Sequence, residues 1–484
     1  MSLRLRQTDL YVLNMRTRMP FRYGIVSMTA LPHLFVRCEL EINGKLHSGV
    51  AADGLAPKWF TKDPATSLRD DWADMLRITE SACALARQIE SAPTVFDLWQ
   101  QTYQAQERWA QGTTYPPLLW SFGVSLVERA LIEAFCRAQG VSFSTAVRRN
   151  LLGIRLGQIH PELAEHAPAG LLPERPRRTL IARHTVGLGD PLREEDIPAA
   201  ERIDDGLPQS LEACIRAYGL THFKIKLHGD LEKDRARLQR IASLLDSQAV
   251  PNYAFTLDGN EQYHAVEPFQ ALWRALIHDA ALAPFLSHLL FVEQPLHRDI
   301  ALSEEVGRAL ARWPHRPPLL IDESDGQLDS ARTALALGYI GTSHKNCKGV
   351  FKGIANACLI AHRQRTDPQG RYLLSGEDLA NVGPVALLQD LAVMACLGIE
   401  HVERNGHHYF TGLSMLPAEV QEQVLAHHPD LYRRHERGYA TLAIQKGRLE
   451  VGSVVDSPFG LGFAFDPSRF TPRAAWDPES LEAS

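Results

Sequence analysis

The chain has 484 residues, of which 45% are apolar and 22% charged, with a formal net charge of −6. This length implies two domains with extensions, and the composition is that of a soluble globular protein with no bias towards nucleic acid. Its seven scattered cysteines include no Cys-x-x-Cys pair, and no apolar run is long enough for a signal peptide or a membrane span, so a cytoplasmic protein without a disulfide framework or zinc ribbon is expected.

Residues 3–14 alternate in polarity and read as a first strand. His33–Ile42 reads as a second, and Asn43-Gly44 turns it into Lys45–Val50. Helices are predicted over Pro64–Ile89, with Asp63 as N-cap and Pro64 in the first position, over Thr94–Ala110 and over Leu118–Ala138. Residues 1–154 therefore read as an α+β unit. Residues 155–178 carry Pro161, Pro168, Pro173 and Pro176 and read as a linker or irregular insertion.

From Thr179 strands and helices alternate. Strands are predicted at Thr179–Val186, His222–Leu227, Tyr253–Leu257, Leu289–Val292, Pro318–Ile321, Tyr339–Ser343, Tyr372–Leu374 and Glu400–Val402. Helical segments fill the gaps, among them Pro208–Tyr218, Asp230–Leu245, one long stretch at Val266–Leu286, Ser303–Trp313 and Gly353–Arg363. Eight such strands predict a closed parallel (β/α) barrel over residues 179–412. The rival open sheet of a dinucleotide-binding fold lacks a Gly-x-Gly-x-x-Gly after any strand. Residues 413–484 form a C-terminal segment with a helix near Pro417–His427, strand character in Gly438–Val451 and a polar, loose end from Thr471 to Ser484.

In a barrel of this kind the chemistry lies at the C-terminal ends of the strands. Lys224 and Lys226 end the second strand two residues apart, hence on one face. Two adjacent ammonium groups favour each other's neutral form, so a lowered lysine pKa is expected. The next three strands end in Asp258, Glu293 and Asp322, followed by Asn260 and Glu323. Taken singly, an Asp after a strand also caps helices or forms turns, and Lys-x-Lys suits a solvated face. Three converging carboxylates instead predict a hard divalent cation with oxygen ligands, Mg²⁺ first. Lys345 and Lys348 follow the sixth strand, Lys345 being better spaced from Asp322. Adjacent Glu377 and Asp378 follow the seventh, and Glu403, with His407 and His408 behind it, ends the eighth.

In this order the residues resemble the enolase superfamily, and within it the muconate lactonizing enzyme-like subgroup of the mandelate racemase/muconate lactonizing enzyme family. The match consists of Lys224-x-Lys226, Asp258-x-Asn260, Glu293-Gln-Pro, Asp322-Glu-Ser and Lys345, supported by Val127–Phe135 with Gly140-Val141-Ser142 and by Asp456–Gly462. The resemblance implies an enolase-type modified TIM barrel with an N-terminal α+β capping domain. It implies Mg²⁺, with Mn²⁺ as substitute, on Asp258, Glu293 and Asp322. It makes Lys226 and Lys345 an acid/base pair on opposite faces of a small-molecule carboxylate, with Lys224 tuning Lys226. The implied reaction is removal of the α-proton to give a metal-stabilised enediolate. An isomerase (racemase, epimerase or cycloisomerase) is the first expectation. A lyase, either a dehydratase or an enzyme of o-succinylbenzoate synthase-like syn elimination, is the second, and a non-catalytic relative the third. A dehydratase of acid sugars would want a histidine on the seventh strand; Tyr372–Asp378 has none, and only His407 and His408 keep that reading open. Asn260, Glu323, Lys348, Glu377 and Asp378 are candidate substrate contacts, the cap loops at Phe21–Ser27 and Ala51–Phe60 are expected to close over the site, and a homo-oligomer is allowed. The chain is longer than the family pattern requires, with the excess in 155–178, 188–207 and the tail.

Overall fold

The structure, a computed structural model, describes residues 1–483. The N-terminal sheet is an antiparallel meander of β1 (Leu3–Tyr23), β2 (Val26–Ile42) and β3 (Lys45–Gly54). The β1–β2 hairpin runs on to Tyr23↔Val26, well past the predicted end at Asn14. Register shifts between Leu5 and Gln7 and between Arg16 and Phe21 break the strict alternation by which a strand is recognised. Three helices cover the sheet: α1 (Leu68–Gln88), α2 (Val95–Ala110) and α3 (Pro117–Gln139).

Helix α1 begins later than predicted because Ser67, not Asp63, caps it. Asp70 N donates to Ser67 Oγ at 3.2 Å and Ser67 N donates to Asp70 Oδ2 at 2.8 Å, satisfying two otherwise orphaned donors at once. Asp63 accepts from Ala65 N in the preceding turn. α3 is buried from Leu118 to Cys136, packed between β2 and β3 and the other two helices. Gly123 permits this approach, since a Cβ there would stand 2.5 Å from the Ile78 carbonyl oxygen of α1.

The second body is the predicted closed barrel. Its strands are β4 (Thr179–Val186), β5 (His222–Lys226), β6 (Ala254–Asp258), β7 (Leu289–Glu293), β8 (Leu319–Ile321), β9 (Gly341–His344), β10 (Leu373–Gly376) and β11 (His401–Arg404). Each pairs in parallel with the next, and β11 pairs with β4 to close the ring. The stretch Val266–Leu286 is two helices, Val266–Ile277 and Ala283–Leu286, divided where Asp279 accepts from Ala281 N at 3.0 Å. Among the described residues no helix is long and apolar enough to cross a membrane.

The irregular stretch within 155–178 packs against the barrel: Leu156, Ile159 and Leu163 are buried, and His160 Nε2 lies 2.9 Å from Asn356 Oδ1 on a barrel helix. The C-terminal end is docked rather than loose. Thr471 and Pro472 pair with Val12 and Tyr11 at the edge of β1, and Trp476 Nε1 donates to Asn14 Oδ1 at 2.9 Å. Buried Phe470, Trp476 and Leu481 supply the apolar contact that a polarity average hides; Ser484 lies outside the described residues.

Candidate active site

The pleat of β5 sends Lys224 and Lys226 into the barrel and Phe223 and Ile225 into the packing around it. Lys226 Nζ donates to Asp258 Oδ2 at 2.7 Å. Lys224 lies deeper, and its ammonium is shared among four carboxylates. It is 2.8 Å from Glu293 Oε2, 2.9 Å from Glu377 Oε2 and 3.1 Å from Asp258 Oδ2 and Glu403 Oε2. The expected lowering of its pKa is therefore overturned. Burial alone would depress it, but the charges of Asp258, Glu293, Glu377 and Glu403 together outweigh burial and hold it well above the ordinary lysine value.

On the other side of the site, Lys345 Nζ donates to Asp322 Oδ2 at 2.6 Å. Burial opposes the charged form of Lys345, and Asp322 more than offsets it. Asp322 itself is held well below the usual carboxylate range: burial pushes it up, and Lys345, Lys348 and Lys224 prevail. Glu293 goes the other way, raised by burial and by the charges of Glu377, Asp258 and Asp322. Glu323, with no hydrogen-bond partner at Oε2, is pushed up to about 7 by burial and by Asp322, Glu261 and Asp258.

A pocket opens between this rim and the cap. Phe21, Tyr23 and Met28 reach it from the β1–β2 hairpin, and Lys58 and Trp59 from the loop after β3, so both expected cap segments overlie the site. Lys224, Lys226, Lys345, Asp258, Asp322, Asn260, Glu323 and Asp378 all reach its wall. Glu293 lies beneath Lys224. Two expected substrate contacts are not on the wall. Glu377 is turned into the barrel, bonded to Lys224, Arg183 and Ser375. Lys348 sits behind Asp322, 3.2 Å from its Oδ1 and 2.8 Å from Ser343 Oγ. Of the adjacent pair after β10, Asp378 is thus the one at the pocket. It also accepts from Asn381 N and Asn405 N and pairs with Arg404 at 3.2 Å.

Several site residues escaped sequence reading. Arg183, inward on β4, bonds to Glu377, and it stands on a strand that is buried on both faces, without the alternation that would have marked its side. Glu403 was visible at a strand end without an assigned part; it accepts from Lys224 and from Thr185 Oγ1 at 2.7 Å. Trp59 carries the Lys345 ammonium 4.3 Å from its ring centre. Arg298, after β7, pairs with Glu261 at 2.7 Å and donates to the carbonyls of Trp59 at 2.8 Å and Phe60 at 2.6 Å, tying the cap loop to the rim. Only the fold brings these last residues together. His407 and His408 lie outside the barrel wall, against His184, and do not line the pocket.

Asp258, Glu293 and Asp322 suit a hard divalent ion by donor type, and the raised Glu293 marks an excess of negative charge that a cation would relieve. In this conformation lysines supply that charge. Lys224 holds Asp258 and Glu293, while Lys345 and Lys348 hold Asp322, and the three carboxylates are not drawn within one ion's reach.

No family model and no curated protein sequence matches the chain. Solved structures do. A muconate lactonizing enzyme from Pseudomonas fluorescens, complexed with muconolactone, aligns with TM-score 0.59 at 15% identity over 97% of this chain and 99% of its own. An enolase from Bradyrhizobium, complexed with magnesium and mandelic acid, aligns with TM-score 0.59 at 15% identity over 100% and 98%. A dipeptide epimerase from Enterococcus faecalis, complexed with Mg and the dipeptide L-Leu-L-Tyr, aligns with TM-score 0.54 at 14% identity over 84% and 92%. These likenesses establish the fold, a capped (β/α) barrel of the muconate lactonizing enzyme type.

Proposed function

We propose that the chain is an enolase-superfamily enzyme that removes the α-proton of a small-molecule carboxylate, acting first as an isomerase. The observation that carries this reading is the pair Lys226–Asp258 and Lys345–Asp322, two carboxylate-held ammonium groups on different sides of one pocket. A racemase or epimerase needs such a pair, because the proton must leave one face and return on the other. A lyase using the same first step is the second reading, favoured by no separate observation; the acid-sugar dehydratase loses its histidine, since His407 and His408 are outside the pocket.

Asp258, Glu293 and Asp322 would hold the divalent ion, and two of the similar structures are complexed with magnesium. When bound, it would supply positive charge beside the substrate carboxylate and so acidify the neighbouring C–H. Enolase-type sites pair a lysine base with Mg²⁺ in this way. Asp322, once shared with another cation, would hold Lys345 less tightly and let its pKa fall towards the range of a base. Asp258, likewise shared, would bond Lys226 less closely than the present 2.7 Å. Lys224 donates to Glu293, Glu377 and Glu403 beneath. The cap residues Phe21, Tyr23 and Trp59 exclude water from above.

The test is exchange of the α-proton with deuterated solvent, read by NMR, across a panel of mandelate-type, N-acylamino-acid and dipeptide carboxylates with Mg²⁺ present. The expected result is exchange on at least one class, with Lys226→Ala and Lys345→Ala each abolishing the exchange of one stereoisomer. Exchange untouched by either substitution would show the roles to be wrong.

A further inference from the structure

Outside the barrel wall lies a second cluster of chemically capable side chains. Arg183 and Thr185 of β4 point inward to Glu377 and Glu403, so His184 between them points outward into the helix layer. There it meets Cys214 of the helix Leu211–Tyr218 and His408 of the short helix Gly406–Tyr409 that follows β11. One ring nitrogen of each histidine and the Cys214 sulfur lie within 4.8 Å of one another, and all three residues are buried. Among the described residues no other His, Cys, Asp and Glu set is gathered so closely.

We propose that His184, Cys214 and His408 bind a zinc-class ion that pins the seam where the first and last barrel strands meet. Two imidazoles and one thiolate are the donors of such an ion, which is four-coordinate and tolerant of an outside ligand in its last position. The spacing agrees. Tetrahedral bonds of about 2.3 Å to sulfur and about 2.0 Å to nitrogen place the two ligand atoms about 3.5 Å apart. Cys214 Sγ and His408 Nδ1 are 3.5 Å apart. The rings are also held from behind. His184 Nδ1 lies 3.1 Å from His407 Nε2, and His408 Nε2 faces the Asp190 carboxylate, 3.8 Å from Oδ2 and short of a direct hydrogen bond. Asp190 is itself fixed, accepting from Gly187 N at 2.7 Å and Tyr409 Oη at 2.6 Å. Burial lowers both ligating imidazoles, His184 to about 3 and His408 well below the ordinary value, so their lone pairs need no deprotonation. The same burial pushes the Cys214 thiol up, so binding exchanges its S–H proton for the ion, and one proton leaves to solvent per ion bound.

The site is independent of the carboxylate rim, and the experiment keeps them apart. The full chain, stripped with a chelator, is titrated with Co²⁺ in the presence of excess Mg²⁺. The expected result is one equivalent of cobalt giving an intense near-ultraviolet thiolate-to-metal band, displaced by Zn²⁺ but not by Mg²⁺ and absent from Cys214→Ser. His408→Gln serves as the second variant if Cys214→Ser does not fold. A wild-type chain whose cobalt shows no thiolate band, or whose bound zinc persists in both variants, overturns the proposal.

Discussion

Lys345 carries its ammonium 4.3 Å from the centre of the Trp59 ring, so a residue of the cap touches one of the two pocket lysines directly. The barrel supplies the charge of that lysine's partner, Asp322, and the cap supplies the aromatic face. Removing the ring with Trp59→Ala takes away a desolvated cation–π contact of about 0.5–2 kcal/mol. We expect kcat/KM for α-proton exchange to fall roughly 2- to 30-fold, with Trp59→Phe retaining more activity than Trp59→Ala. Equal losses in the two variants would mean that an aromatic face at this position does not by itself support Lys345, and would count against the cation–π contribution.

Lys224 holds together four buried carboxylates, and its removal leaves Glu293 and Glu403 without a cation, while Asp258 keeps Lys226 and Glu377 keeps Arg183. Lys224→Met should cost about 3–5 kcal/mol of stability, as breaking a buried charge network does. Added Mg²⁺ should restore part of the melting temperature and do so more strongly than in the unsubstituted chain. A melting curve of Lys224→Met indifferent to Mg²⁺ would count against a cation site at this rim.

Arg298 joins Glu261 to the carbonyls of Trp59 and Phe60, so it fixes the cap loop over the pocket. Charge-assisted hydrogen bonds of this kind contribute about 1.5–3 kcal/mol each. Arg298→Ala should therefore raise KM at least about 10-fold while leaving far-ultraviolet circular dichroism unchanged. Steady-state kinetics that show no change in KM would place the loop's anchor elsewhere.

Glu128 of α3 accepts from Val350 N at 3.0 Å and Phe351 N at 2.6 Å, joining the cap to a barrel helix. Burial pushes its carboxyl from the ordinary 4.5 up to about 7, against the pull of those two donors. Between these values the folded chain binds more protons than the unfolded one, so this group's contribution to stability is fully present below 4.5 and declines as pH rises through about 7. The loss amounts to about 3 kcal/mol across the window. Urea unfolding on either side of it should show the decline, and Glu128→Gln should remove it while keeping an acceptor for one of the two amides.

Much of this was legible in the chain. The eight strands from Thr179 alternate with helices, and their apolar runs declare themselves locally, so the closed barrel could be read directly. The ends of β5 to β8 likewise announced Lys224, Lys226, Asp258, Glu293 and Asp322. Boundaries set by competition were less visible. Ser67 displaced Asp63 as the cap of α1 because a reciprocal pair satisfies two donors, and such a contest is decided by geometry.

The sequence by itself determined the barrel and the order of charged groups around its rim, because strand period and strand order are local properties. Only the tertiary structure decided how the charges are shared. Lys224 faces four carboxylates rather than its neighbour Lys226, Glu377 turns inward while Asp378 faces the pocket, and Lys348 retires behind Asp322. These outcomes rest on Coulomb energies among residues far apart in the chain, and those energies depend on distances that exist only once the ring of strands has closed.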